Sequence, residues 1–162
     1  PRFGMKGDEV PDICVEIEGY TLNIRVAAIM RKDGSILVHQ LPDGDFWFLP
    51  GGRVAVGETF RDALARELRE ELGSEFQIGA FAFLCENFFV YNDRHFHEIC
   101  TFFEVACDRG SVEALDQCEA DGTRFRWMGP AELKLANIQP LVLKDILLNQ
   151  AFDQKHVVVH SV

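Results

Sequence analysis

The chain has 162 residues, 48% hydrophobic and 26% charged, which suits one ordinary domain with a buried core. Asp and Glu number 26 against 16 Lys and Arg, a net charge of -10, which argues against a broad grip on polymeric nucleic acid or an anionic membrane. A small polyanion stays compatible, because a bound metal ion reverses the local field.

The opening residues, to about Asp12, are polar and broken by Gly and Pro. They are expected to form a loose arm of a single domain spanning 1–162. Ile13 to Ile17 alternates and predicts a strand. Thr21 to Met30 predicts a second, and its unbroken apolar run from Val26 to Met30 should be covered on both faces. Lys32-Asp33-Gly34-Ser35 predicts a turn, with Ile36 to Gln40 returning as a hairpin partner. Pro42 to Asp45 is a further turn and Phe46 to Leu49 a short strand.

Gly51-Gly52 reads as a turn ahead of a helix. Thr59 is its N-cap with Asp62 as capping-box partner, and Gly73 stops it after Leu72. Phe76 to Tyr91 and His95 to Val105 predict two long strands around an Asn92-Asp93-Arg94 turn. Arg124 to Met128 predicts another strand. A short helix from Gly129-Pro130 through Leu135 follows, then a helix from near Pro140 to Gln150 and an edge strand at His156 to Val159. Strands outnumber helices and one helix interrupts them mid-chain, so the expected class is an α+β or mixed α/β sandwich.

The cysteines Cys14, Cys85, Cys100, Cys107 and Cys118 are odd in number and form no CxxC pair. Reduced thiols in a cytoplasmic protein are expected. No basic-then-apolar leader is read at the start, and charge breaks every apolar stretch short of the roughly 20 residues a membrane span needs. A chain opening on Pro1 is expected to have lost a few residues.

The helix carries the chemistry. At about 100° per residue, Phe60, Ala63, Leu64, Leu68 and Leu72 share one arc, with Asp62, Arg66 and Arg69 opposite. Glu67 and Glu71 project beside Phe60 toward the protein body, and Glu70 lies at the edge of the arc. The i, i+3, i+4 spacing is expected to bring all three carboxylates within reach of a common point. Inward carboxylates repel one another and lose hydration, so they need cations. Arg66 offsets one, and Mg²⁺ or Mn²⁺ suits the rest. A solvated acidic face is the plainer alternative. Gly51 and Gly52 allow close backbone approach to a ligand, and Gly57-Glu58 leads into a helix N-terminus that favours an anion.

This stretch resembles the box of the Nudix hydrolases, G-x5-E-x7-R-E-U-x-E-E-x-G-U with U apolar. Gly52, Glu58, Arg66, Glu67, Leu68, Glu70, Glu71 and Gly73 occupy its successive positions, and Leu49-Pro50-Gly51 before it is also typical. Ser74 departs, standing where an apolar residue is usual, and Ala55 stands where many members are acidic. A looser likeness runs from about Arg25 to Leu148, including Trp127.

The resemblance implies an α/β/α sandwich with a mixed central sheet and a catalytic loop–helix–loop. It also implies metal-dependent hydrolysis of a nucleoside diphosphate linked to another group: a nucleotide sugar, ADP-ribose, a dinucleoside polyphosphate or a nucleoside triphosphate. By analogy Glu70 and Glu71 are the central ligands of Mg²⁺ or Mn²⁺, and Glu67 and the Gly51 carbonyl complete the set. Arg66 orients the carboxylates and Glu58 supports the loop. Candidate general bases are Glu67 and, downstream, Glu98 on a predicted strand and Glu119 in a loop. His95-x-His97 offers only two zinc ligands, too few for a zinc site.

Phe46, Trp47, Phe88, Phe89 and Tyr91 could stack on a nucleobase or belong to the core. Tyr91 follows Ser74 by 17 residues, an offset that resembles the dinucleoside-polyphosphate hydrolases of the family. Arg25 could contact phosphate, with a surface role as the alternative. Arg25, Phe46, Trp47, Gly52 and Tyr91 are therefore the candidate substrate contacts. The expected partner is a small nucleotide, without polymeric nucleic acid or membrane, and many relatives form homodimers. The rival functions are a ligand-binding or sensing module that kept the fold, and an isomerase or other chemistry on a related scaffold.

Overall fold

The computed structural model describes residues 10–42, 44–107, 122–149 and 154–161. Most of the expected N-terminal arm, Gln150 of the last helix, Cys118 and Glu119 lie outside the described residues. Among the described residues there are eight strands and three helices. In chain order they are β1 (Cys14–Ile17), β2 (Tyr20–Lys32), β3 (Ser35–Gln40), β4 (Gly51–Arg53), α1 (Phe60–Leu72), β5 (Ile78–Tyr91), β6 (Arg94–Val105), β7 (Arg124–Met128), α2 (Pro130–Leu135), α3 (Val142–Asn149) and β8 (His156–Ser161). The strands form one mixed sheet in the order β7-β3-β2-β6-β5-β8, with β1 and β4 also paired to β2. The β2–β6 and β5–β8 pairs are parallel and the others antiparallel.

The apolar run in β2 is covered on both faces, as its composition predicts. Val26, Ala28 and Met30 pack with Ala63, Leu64, Leu68 and Leu72 of α1. Ala27 and Ile29 point the other way and join Leu133 of α2 and Leu143 and Leu147 of α3. Period-two alternation in a strand serves two helical layers at once, giving an α/β/α sandwich. Each fully buried Leu in these layers contributes on the order of 1.5–3 kcal/mol of transfer free energy.

Helix α1 begins at Thr59, whose Oγ1 accepts from the Asp62 N–H at 3.1 Å. The Asp62 carboxylate does not complete the expected box on the Thr59 backbone; it accepts the Thr59 hydroxyl at 2.8 Å. Gly73, with φ 67°, closes the helix and donates its N–H to Arg69 O.

Two expectations change. Phe46 to Leu49 is no strand: Trp47 and Phe48 make isolated bridges to Ile138 and His39. The strand lies just beyond, where Gly51–Arg53 pairs with Ala27, Val26 and Arg25 of β2. Sheet partners outweigh the low strand propensity of two glycines. At the other end, Pro11 and Asp12 are not loose. Pro11 O accepts the Val56 N–H at 2.9 Å, and Asp12 bridges Ala55. No described helix is long and apolar enough to cross a membrane.

Candidate active site

Arg66 ties the loop to the helix. Its Nε and Nη2 donate to the two oxygens of Glu58 at 2.8 and 2.9 Å, and Nη2 also donates to Arg53 O at 3.0 Å. Glu58 in turn accepts the Ala55 N–H at 3.0 Å. A planar guanidinium meets a carboxylate in this two-bonded way, which a lysine cannot do. The Arg66 hydrogen bonds hold the Glu58 carboxyl below the usual carboxylate range. Arg66, placed by periodicity on the far side of α1, is only 25% exposed because it reaches round the helix to make these contacts.

The three box carboxylates separate. Glu67 accepts from Arg66 Nη1 at 2.8 Å. Glu71 turns to the backbone, accepting the Gly51 N–H at 3.0 Å. Glu70 stands 58% exposed, touching Arg66 at 3.4 Å. The expectation of three carboxylates on the buried side meeting at one point is therefore corrected. Among the described residues no group of three His, Cys, Asp or Glu side chains is arranged to hold a metal ion. Glu67 and Glu70 share the Arg66 Nη1 donor, while Glu71 has the Gly51 N–H.

The donor set still suits a hard divalent cation. Burial pushes the Glu71 carboxyl up to about 8, with the neighbouring Glu67 charge adding to it and the Gly51 N–H opposing it. Burial also raises Glu67, against the pull of Arg66. Carboxylate oxygens held in buried surroundings such as these are donors that suit a hard divalent cation. Gly51 and Gly52 make the approach possible. A Cβ on Gly52 would overlap the Glu67 carboxylate, and one on Gly51, with φ 139°, would overlap the Val26 carbonyl oxygen. His39, not singled out by the sequence pattern, lies with Nδ1 3.6 Å from Glu71. Burial lowers its pKa to about 4, so it is neutral near pH 7 and supplies no cation. A single His on an apolar strand carries no sequence signal of that placement.

Beside this helix–loop unit lies a cavity of about 750 Å³, reached over β2 and β4. Ala27, Arg25 and Arg53 line it, and Ala27 pairs with Gly51, whose N–H holds Glu71. Of the candidate substrate contacts, Arg25, Phe46 and Tyr91 line the cavity. Trp47 does not; it packs against the α2–α3 core. Gly52 faces Glu67 instead. Phe88 sits on the opposite face of the sheet from Phe89, stacked on His160 at 4.7 Å, while Phe89 lines the cavity.

Glu98 also lines the cavity and is 7% exposed. Its Oε2 accepts from Asn23 Nδ2 at 3.0 Å. Asn23 and Asn87 are further lining residues missed from sequence. A polar residue among apolar ones was a visible signal, but its direction was not.

A CTP pyrophosphohydrolase of Escherichia coli (strain K12) is 47% identical over 60 residues, 35% of this chain and 44% of that protein. The low-salt glycan biosynthesis protein Agl8 of Haloferax volcanii is 33% identical over 97 residues, 56% of this chain and 62% of that protein. The chain thus spans less than two thirds of either relative's length. The MutT protein crystal structure from Bacillus halodurans shares the fold at TM-score 0.65 and 16% identity, covering 86% of this chain and 90% of that one. The NUDIX domain pattern matches residues 19–146, taking in β2 to β7 and α1, and the chain belongs to the NUDIX domain family.

Proposed function

We propose that the chain is a divalent-metal-dependent pyrophosphohydrolase, cleaving a nucleoside diphosphate linked to another group and releasing a nucleoside monophosphate. The observation that carries this reading is the Arg66-anchored acidic helix, packed against Gly51-Gly52 and next to an aromatic cavity flanked by Arg25 and Arg53. Aromatic side chains suit a base and guanidinium groups suit phosphates. The E. coli relative, named a CTP pyrophosphohydrolase, supports the same class.

Glu67, Glu70, Glu71 and the Gly51 carbonyl would hold Mg²⁺ or Mn²⁺. The chemistry such an ion supplies is charge neutralisation on phosphate oxygens and a more acidic bound water. The chain's own groups do the rest. Arg25 and Arg53 at the cavity edge bind phosphate and hold it for in-line attack. A water oxygen forms a bond to one phosphorus while the bridging P–O bond breaks. Glu67, half-buried with its carboxyl raised, takes the water proton. Arg66 fixes the Glu67 carboxylate, and Glu58 fixes Arg66.

The test is a panel of nucleotide sugars, ADP-ribose, dinucleoside polyphosphates and nucleoside triphosphates, with Mg²⁺ or Mn²⁺ and with chelator. Metal-dependent release of a nucleoside monophosphate from at least one member is expected. Glu70→Gln should cost more than the about 10–100-fold typical of outer-shell changes, with the fold intact because Glu70 is exposed. No metal-dependent turnover of any member would overturn the reading in favour of a binding module.

A further inference from the structure

Glu98 is a buried carboxylate with an incomplete set of donors. One oxygen accepts from Asn23 Nδ2 at 3.0 Å. Arg25 Nη1 stands 3.8 Å away, beyond hydrogen-bond length. No other described side chain donates to it. Asn23 cannot turn away, because its Oδ1 accepts from Arg53 Nε at 3.1 Å. The amide is therefore held with its NH₂ on Glu98.

Register sets a second polar group beside this carboxylate. Glu98 is opposite Asn23 on β2 and opposite Asn87 on β5, so the three stand in one row across the sheet. Asn87 is also 7% exposed, lines the cavity, and its Oδ1 has no hydrogen-bond partner. Arg25 and Arg53 flank one side of the row, and two aromatic rings lie in the same cavity. Phe89 and Phe96 line the cavity with rings stacked at 4.9 Å and 2°.

A carboxylate oxygen facing such a cavity can accept a ligand N–H in place of water. Resting on the pyrophosphohydrolase reading, we propose that Glu98 is a specificity-determining residue, selecting nucleotides whose base carries an exocyclic amino group. The amines of cytosine, adenine and guanine each supply N–H donors to a carboxylate. Uracil and hypoxanthine place a carbonyl oxygen or a bare ring edge there, and carbonyl lone pairs repel a carboxylate. Asn87 can donate or accept, so it meets the neighbouring base atom without setting the preference.

Glu98 pairs with Asn23, whereas Gly51, which holds Glu71, pairs with Ala27, four residues further along β2. Arg25 lies between those levels with Nη1 3.8 Å from Glu98, so selectivity and proton transfer are told apart by measurement on a Glu98→Gln variant.

The experiment compares matched pairs, CMP with UMP and GMP with IMP, binding to full-length protein in chelator, followed by calorimetry. Wild type should favour the amino-bearing member of both pairs by about 5–150-fold, the value of one good base contact. Glu98→Gln, keeping its amide oxygen on Asn23, would present N–H groups to the cavity, so the ratios should fall to one or invert. Wild-type ratios within about threefold of one would overturn the proposal whatever the variant does. Turnover of CTP against UTP by both proteins is the second readout. A uniform loss of about 100-fold in Glu98→Gln with the ratio intact would assign Glu98 to proton transfer and overturn the proposal. Binding discrimination without turnover of any nucleotide would support Glu98 selectivity while sinking the hydrolase reading. Turnover without discrimination would do the reverse.

Discussion

The acidic helix and the cavity are built in opposite ways. The helix–loop unit is contiguous: Gly51 to Gly73 contains the glycines, Glu58, Arg66 and the three box carboxylates, and the hydrogen bonds that hold those side chains close within it. The cavity is assembled from β2, β4, β5, β6, β8, the loop before β4, and α3 with its approach. Its row Asn23–Glu98–Asn87 joins residues from three strands. Local chemistry thus sits on one short stretch, whereas recognition depends on strand register. A one-residue slip would turn every cavity side chain to the other face of the sheet.

The contiguous unit should break hardest from beneath. Leu68 is fully buried under α1 against Val26 and Ala28. Leu68→Ala should cost about 2–5 kcal/mol in a denaturant melt. A loss below about 1 kcal/mol would mean that α1 is not held by this face. Gly52→Ala attacks the same unit from above, driving a methyl into Glu67. It should cost about 1–3 kcal/mol of stability and depress metal-dependent turnover of every substrate alike. A base-dependent loss would blur the division between the two regions.

Phe89→Ala tests the cavity. It should weaken nucleotide binding by about 1–3 kcal/mol, the worth of one stacked base, with the metal dependence of turnover kept. Unchanged nucleotide affinity would remove Phe89 from the recognition wall. The smallest effect concerns thiols. Burial pushes Cys85 up to about 12 and raises Cys100 in the same direction, while Cys14 is half-buried. Reaction with a thiol reagent at pH 8, read by peptide mass spectrometry, should modify Cys14 before Cys85 or Cys100, because the thiolate is the nucleophile. Early labelling of Cys100, which lines the cavity, would show that the cavity floor opens.

How much was legible follows from the same contrast. The limits of α1, β7 and α2 follow from caps and periodicity, which are local. Phe46 to Leu49 has the composition of a strand but is none, because Trp47 bonds to Asn137 and Gln139, some ninety residues away, rather than to a neighbouring strand. The role of Gly51–Arg53 as a strand was hidden because its partner, β2, supplies the ladder. Arg66 was placed on the solvent side because periodicity locates a Cα, whereas a long side chain can reach round the helix to Glu58.

By itself the sequence determined the helix, its caps, its acidic residues and the two-faced apolar run of β2, since each depends on residues within a few positions of one another. Only the tertiary structure decided that Glu70 stays in solvent, that Trp47 joins the core, and that Glu98 stands beside Asn23 and Asn87. The reason is physical. Whether a polar side chain keeps its water or must find a partner is set by what the rest of the chain packs around it, and that packing joins residues far apart along the sequence.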